Sequence, residues 1–256
     1  MQQVLSLPIP KPANSSICDP LCHANCSNSL INWNGMGKLQ RRFELIVFDW
    51  DGTLMDSTRS IVDAIQQASK DVGLPVPTDE RARYIIGLGL HDALQHVFPG
   101  LLLERYAEVT DRYRHHFLLR DPHLTLFVGV QEMLAELADS QRLLAVATGK
   151  SRAGLDRAFS QTGLAPRFDA SRCADEGFSK PHPGMLEHIM DRLGVDSERT
   201  LMIGDTTHDL QMANNARVAS VGVTYGAHTS GELERCAPAA IVDSIAELRA
   251  WLQRNI

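Results

Sequence analysis

Long hydrophobic runs are missing from the 256-residue chain. No stretch approaches the about 20 apolar residues of a membrane-spanning helix. No secretory leader is expected at this N-terminus, because the first basic residue is Lys11 and Pro8, Pro10 and Pro12 interrupt the apolar stretch around it. A soluble, cytoplasmic protein without a membrane partner is therefore expected. Basic charge is also short: 25 Lys and Arg face 31 Asp and Glu, for a net charge of −6. Nucleic-acid backbones and anionic lipid surfaces are bound through basic footprints, so neither is expected as a partner. Cysteine is scarce and odd in number, five in all, which suits a reduced compartment rather than a disulfide framework. What is present, 44% hydrophobic and 22% charged residues, is ordinary for a folded globular chain and excludes collagen, coiled coil and wholesale disorder. The length accommodates one large α/β domain, or a core domain carrying a smaller inserted one.

The first 35 residues lack charge almost entirely. Lys11 and Asp19 are the exceptions, which leaves 54 of the 56 charged residues to the other 221 positions. This Pro-, Ser- and Asn-rich segment has no helical or strand period, so 1–36 is expected to be an extension without fixed structure. Cys18, Cys22 and Cys26, with His23, could offer thiolates to a soft metal or an iron–sulfur cluster, and so make a metal or redox sensor. Their C-x3-C-x3-C spacing fits neither the paired C-x2-C of zinc sites nor the common ferredoxin runs. The simpler expectation is that translation begins at Met36, directly before the first strand.

From Phe43 onward, short apolar runs alternate with amphipathic stretches. Strands are predicted at 43–48, 143–147, 200–203, 218–224 and 240–242, with a weaker one at 168–171. Helices are predicted near 129–140, 151–162, 182–193, 207–216 and 244–253. Such alternation implies an α/β fold, a doubly wound, Rossmann-like parallel sheet covered on both faces. Between 57 and 126 the pattern is helical throughout, near 57–72, 78–86, 90–98 and 103–118. The expected organisation is a core formed by 43–56 and 127–256 with an all-helical domain, 57–126, inserted after the first strand.

Ligands of parallel sheets bind beyond the carboxyl ends of the strands, and three separated segments carry polar groups there. Asp49-Trp50-Asp51-Gly52-Thr53-Leu54 leaves the first strand with two carboxylates in alternation. Thr148-Gly149-Lys150 leaves the second with a hydroxyl and free backbone donors. Gly204-Asp205-Thr206-Thr207-His208-Asp209 supplies two more acids, and Lys180 stands just before a predicted helix. Four acids, one lysine and one hydroxyl around a point describe a site for Mg²⁺ and a phosphoryl group.

These four motifs, in this order, resemble those of the haloacid dehalogenase-like hydrolases, in particular the phosphoglycolate phosphatase-like members with a helical cap. The resemblance runs from about Phe43 to the end of the chain. It implies a phosphatase acting on a small phosphate ester, as a monomer or small homo-oligomer. Asp49 would be the nucleophile that forms an aspartyl-phosphate, and Asp51 the general acid and base. Thr148, the Gly149 N–H and Lys180 would bind the phosphoryl group. Mg²⁺ would be held by the Asp49 and Asp205 carboxylates and the backbone carbonyl of Asp51, with Asp209 acting through water or by orienting its neighbours. Asp51 argues against dehalogenation, which needs no proton donor, and the cap's Lys70 is expected in solvent, which argues against phosphonate cleavage. A sugar-phosphate mutase and a nucleotide or pyrophosphate phosphatase are the enzymatic alternatives. Gly87-Leu88-Gly89-Leu90-His91 could face the pocket, and Arg59 is a candidate for a substrate carboxylate. Trp50 is expected to pack, and His182 and His208 to be exposed neighbours of the motifs.

Overall fold

In the computed structural model, which describes residues 43–256, Leu45–Phe48 (β1) is buried along its whole length. Alternate residues enter opposite hydrophobic clusters, Ile46 and Phe48 one and Leu45 and Val47 the other. A strand covered on both faces reads as an unbroken apolar run, as strands of parallel sheets do. Leu143–Thr148 (β2), Ala170–Cys173 (β3), Thr200–Gly204 (β4), Ala219–Val223 (β5) and Ala240–Val242 (β6) complete a parallel sheet of order β3-β2-β1-β4-β5-β6. The strand order reverses between β1 and β4, which opens a crevice beyond their carboxyl ends.

Between β1 and β2 the chain forms Thr58–Asp71 (α1), Asp79–Tyr84 (α2), Leu90–Val97 (α3) and Tyr106–Arg120 (α4). These helices share a hydrophobic cluster of their own, which includes Val62, Ile65, Leu94, Val109 and Phe117. The chain enters and leaves this insertion through paired extended segments: Asp56 N–H donates to the Thr125 carbonyl at 2.9 Å and Phe127 N–H to that of Leu54 at 3.0 Å. The remaining helices are Val130–Asp139 (α5), Arg152–Thr162 (α6), Gly184–Leu193 (α7), Thr207–Asn215 (α8), Ser230–Glu234 (α9) and Ile245–Asn255 (α10). Apolar residues of α5, α6 and α10 cover the face bearing Ile46 and Phe48, and those of α7 and α8 cover the other. Trp50 is packed in the first of these faces, edge-on to Phe159 at 5.3 Å between ring centres. No helix among the described residues is long and apolar enough to cross a membrane.

Two elements differ from the sequence expectation. β3 lies two residues later than predicted, because Phe168 joins an aromatic cluster with Trp50 and Phe159 instead of entering the strand. As an edge strand β3 also tolerates the half-buried polar residues Ser171 and Arg172, which hides its period. The short helix α9 depends on a local cap, in which the Glu232 carboxylate accepts from Thr229 N–H and Oγ1–H at 2.8 and 2.7 Å. Cys18, Cys22, Cys26, His23 and Met36 lie outside the described residues, while Cys173 and Cys236 are free and buried.

The central strand should carry the stability of the sheet. Leu201→Ala in β4, at a fully buried position, is expected to lower unfolding free energy by about 2–5 kcal/mol. Leu102→Ala, on the exposed surface of the insertion, should change it by less than about 0.5 kcal/mol. Urea denaturation of the two variants checks this.

Candidate active site

Asp49 follows β1 directly, and its N–H donates to the Ile203 carbonyl at 2.9 Å, which fixes it at the crevice beside β4. The next turn of chain brings Gly52, at φ +84°, against Asp205. A Cβ at Gly52 would sit 2.2 Å from Asp205 Oδ2, and one at Gly226 would sit equally close. Glycine at both positions therefore makes room for that carboxylate. Asp205 is held from two sides: Thr53 Oγ1–H donates to its Oδ1 at 2.9 Å and Ala227 N–H to its Oδ2 at 2.7 Å. Asp209 sits in the first turn of α8, where its Oδ2 accepts from Thr206 N–H and Oγ1–H at 3.1 and 2.6 Å. This reciprocal cap satisfies the orphan donors at the helix start and fixes the Asp209 rotamer.

The carboxylates of Asp49, Asp205 and Asp209 each place an oxygen within 4.8 Å of the others, and all three residues are buried. Lys180 Nζ reaches Asp49 Oδ1 at 2.5 Å and Asp209 Oδ1 at 2.6 Å. Three buried carboxylates against one ammonium leave two negative charges uncompensated. Burial, helped by repulsion from Asp209 and Asp51, outweighs the pull of Lys180 and raises the Asp49 carboxyl to about 7. Burial and the Asp49 and Asp209 charges likewise hold Asp205 well above the usual carboxylate range. For Lys180 burial acts downward, but Asp209 and Asp49 outweigh it and keep the ammonium charged. A divalent cation held by oxygen ligands matches both the donor set and the missing charge.

Asp51 is not part of this trio. Its Oδ1 accepts from Ser57 Oγ–H at 2.6 Å, and its Oδ2 pairs with Lys150 Nζ at 3.0 Å. Any share of Asp51 in holding a metal therefore rests on its backbone carbonyl. Thr148 is buried at the end of β2, with its Oγ1 accepting from Lys150 N–H at 3.2 Å. Gly149 lies under the insertion: a Cβ there would meet the Gly87 and Leu88 carbonyl oxygens at 2.6 Å. The Gly87–Gly89 loop is thus directly over the strand ends, and Gly89 N–H donates to Ser179 Oγ at 2.7 Å.

Two expectations need correction. Arg59 points away from the site, exposed and paired with Asp63 and Asp79 at 2.9 and 3.0 Å. His208 is buried, because the insertion folds onto it: its Nε2 lies 2.7 Å from the Tyr84 carbonyl oxygen, which His228 Nε2 also approaches, at 3.2 Å. A carbonyl only accepts, so both imidazoles carry the proton on Nε2. His228 Nδ1 accordingly accepts from Thr207 N–H at 3.0 Å. Burial lowers His208 to about 4, so it stays neutral. His182 is exposed and stacks on Phe178. Sequence reasoning also missed Lys150 and Ser57 as partners of Asp51.

The sequence pattern of the haloacid dehalogenase-like hydrolases matches residues 46–223. The chain belongs to that family. It is 39% identical over 210 residues to a Dickeya dadantii (strain 3937) protein named "Probable phosphatase IndB", covering 80% of this chain and 91% of that one. It is 30% identical over 220 residues to a phosphoglycolate phosphatase of Vibrio vulnificus (strain CMCP6), covering 82% of this chain and 96% of that one. A crystal structure of a hydrolase from Pseudomonas syringae shares the fold, with a TM-score of 0.77 at 21% identity over 82% of this chain and 98% of that one.

For this hydrolase the charge excess has a measurable consequence. With Asp49 raised to about 7 in the folded state against an ordinary 3.8, the native state holds a proton that the unfolded chain releases, so stability falls as pH rises from about 4 to about 7. In chelator-treated protein the urea midpoint should drop over this window, and Asp49→Asn should flatten the drop. An intact protein whose midpoint rises across the window, or an unchanged slope in the variant, contradicts this.

Proposed function

We propose that the protein is a Mg²⁺-dependent phosphatase that hydrolyses small phosphomonoesters of the phosphoglycolate type through an aspartyl-phosphate at Asp49. One observation carries this reading. Two buried oxygens of the carboxylate trio lack a hydrogen-bond partner: Asp209 Oδ1, which is ion-paired to Lys180 at 2.6 Å, and Asp49 Oδ2, which no protein donor or ammonium engages. An uncommitted carboxylate oxygen in a site that its neighbours fully brace is the form a nucleophile takes. The names of the two relatives point the same way.

Asp49, Asp205 and the Asp51 carbonyl would hold Mg²⁺, with Asp209 acting through water. When bound, the ion supplies the positive charge that lets a carboxylate and a phosphate dianion approach. The Thr148 hydroxyl and the Gly149 N–H bind phosphoryl oxygens, and Lys180 neutralises charge shared between the phosphoryl group and Asp49. Asp49 Oδ2 forms a bond to phosphorus in line with the ester oxygen, whose bond to phosphorus breaks. Asp51 gives that oxygen its proton and the alcohol leaves. Asp51 then takes a proton from water as the water oxygen attacks phosphorus, which breaks the bond to Asp49, releases inorganic phosphate and restores both carboxyl groups. Ser57 holds the Asp51 rotamer throughout, and the loop Gly87–Gly89 limits the entrance of bulk water.

Phosphate release from a panel of monoesters, with and without Mg²⁺, tests the proposal. Release should require the ion. Asp49→Asn should lower kcat by about 10⁴-fold or more, and Asp51→Asn by about 10²- to 10⁴-fold on alkyl esters, which need a protonated leaving group. Absence of release from every ester in the presence of Mg²⁺ contradicts the reading.

A further inference from the structure

Two ammonium groups reach the buried polar cluster, and they face different parts of it. Lys180 is fully enclosed and committed, bridging Asp49 and Asp209 at 2.5 and 2.6 Å. Lys150 faces the opposite side, 3.0 Å from Asp51, with each of these side chains only 10% exposed. The ring of Phe117, from α4 of the insertion, lies over the same ammonium with its centroid 4.7 Å away. Tyr113 stacks on Phe117 at 6.0 Å. An ammonium carries three donors, and Asp51 and the ring face account for two directions. A lysine on a flexible stem redirects the third at little cost.

We propose that Lys150 reads the leaving group: it selects phosphomonoesters whose alcohol carries a carboxylate on the carbon next to the ester oxygen, the phosphorylated α-hydroxy acids. The inference rests on the phosphatase reading, which sets Asp51 at the leaving oxygen. A carboxylate one carbon from that oxygen then lies within reach of the ammonium that touches Asp51. The rest of the surroundings favours the same point. The Gly87 and Leu88 carbonyl oxygens, crowded over Gly149, add no positive charge there. Arg59, the other cation considered for this task, is turned outward. Phe117, backed by Tyr113, covers the ammonium with its ring, which favours a short substituent and disfavours water that would weaken the pairing.

The test compares kcat/KM for 2-phosphoglycolate with that for ethyl phosphate, esters of equal carbon count that differ in the carboxylate. The intact enzyme should prefer 2-phosphoglycolate. Lys150→Met should cut that preference by about 10- to 100-fold, mostly through KM, the range expected for one charge-assisted hydrogen bond. Lys150→Arg should retain most of it. Should Lys150→Met fail to fold, Lys150→Gln, which keeps a donor for Asp51, replaces it with the same expectation. An equal loss on both esters would make Lys150 only a positioning residue for Asp51 and overturn the proposal, as would an unchanged preference. Release from ethyl phosphate with no preference in the intact enzyme overturns the proposal while leaving the phosphatase reading standing. Release from no ester at all overturns both.

Discussion

The structure turns on an excess of negative charge that the fold keeps out of water. Asp49, Asp205 and Asp209 are buried around one point with a single ammonium, Lys180, between two of them. Isolated buried ions are costly, and a buried charge set is tolerated when it is paired or completed by a ligand. The upward shifts of Asp49 and Asp205 express that incompleteness. They also indicate what is needed to relieve it, a hard cation among oxygens. On the proposed function the same strain has a use: a site short of positive charge gains most from a cation, and the loaded Asp49 would then meet a phosphate.

Much of the surrounding architecture serves to hold the three carboxylates still. β1 and β4 lie side by side where the strand order reverses, so the residues after each meet across one crevice. Gly52 and Gly226 yield the space that Asp205 fills, and Gly204 does the same for Asp209, where a Cβ would lie 2.4 Å from its side chain. Thr53 and Ala227 donate to the two Asp205 oxygens and Thr206 to Asp209 Oδ2, while Asp49 Oδ2 has no partner. Over this assembly the helical insertion rests on the Tyr84 carbonyl, gripped by His208 and His228, and on Asp121, paired with Arg157 of α6 at 2.6 Å. Of these contacts, His208 comes from the same segment that carries Asp205 and Asp209, while His228 and Arg157 come from separate parts of the core.

How much of this could be read in advance follows from the kind of signal each part leaves. Strands buried on both faces, such as Leu45–Phe48, announce themselves as apolar runs, and the acids that end them stand out because a turn rarely needs so many. The α/β class and the identity of Asp49, Asp205, Asp209 and Lys180 as a group were legible for that reason. β3 was misjudged by two residues because an edge strand need not be apolar. His208 looked like a surface neighbour because its burial depends on Tyr84, far away in the chain and on another element. Lys150 left no signal at all: a lysine after Thr148-Gly149 acquires meaning only when the fold brings Asp51 below it and Phe117 above it.

The central claim is that the unpaired oxygen of Asp49 becomes bonded to phosphorus during turnover. Rapid quenching of the full chain with Mg²⁺ and a good substrate, followed by borohydride reduction and peptide mass analysis, examines that bond directly. Acyl-phosphate reduction is expected at Asp49 and at no other acid, and only when substrate and Mg²⁺ are both supplied. Phosphate release that proceeds with Asp49 unmodified at every quench time, or a modification carried by another residue, would contradict it.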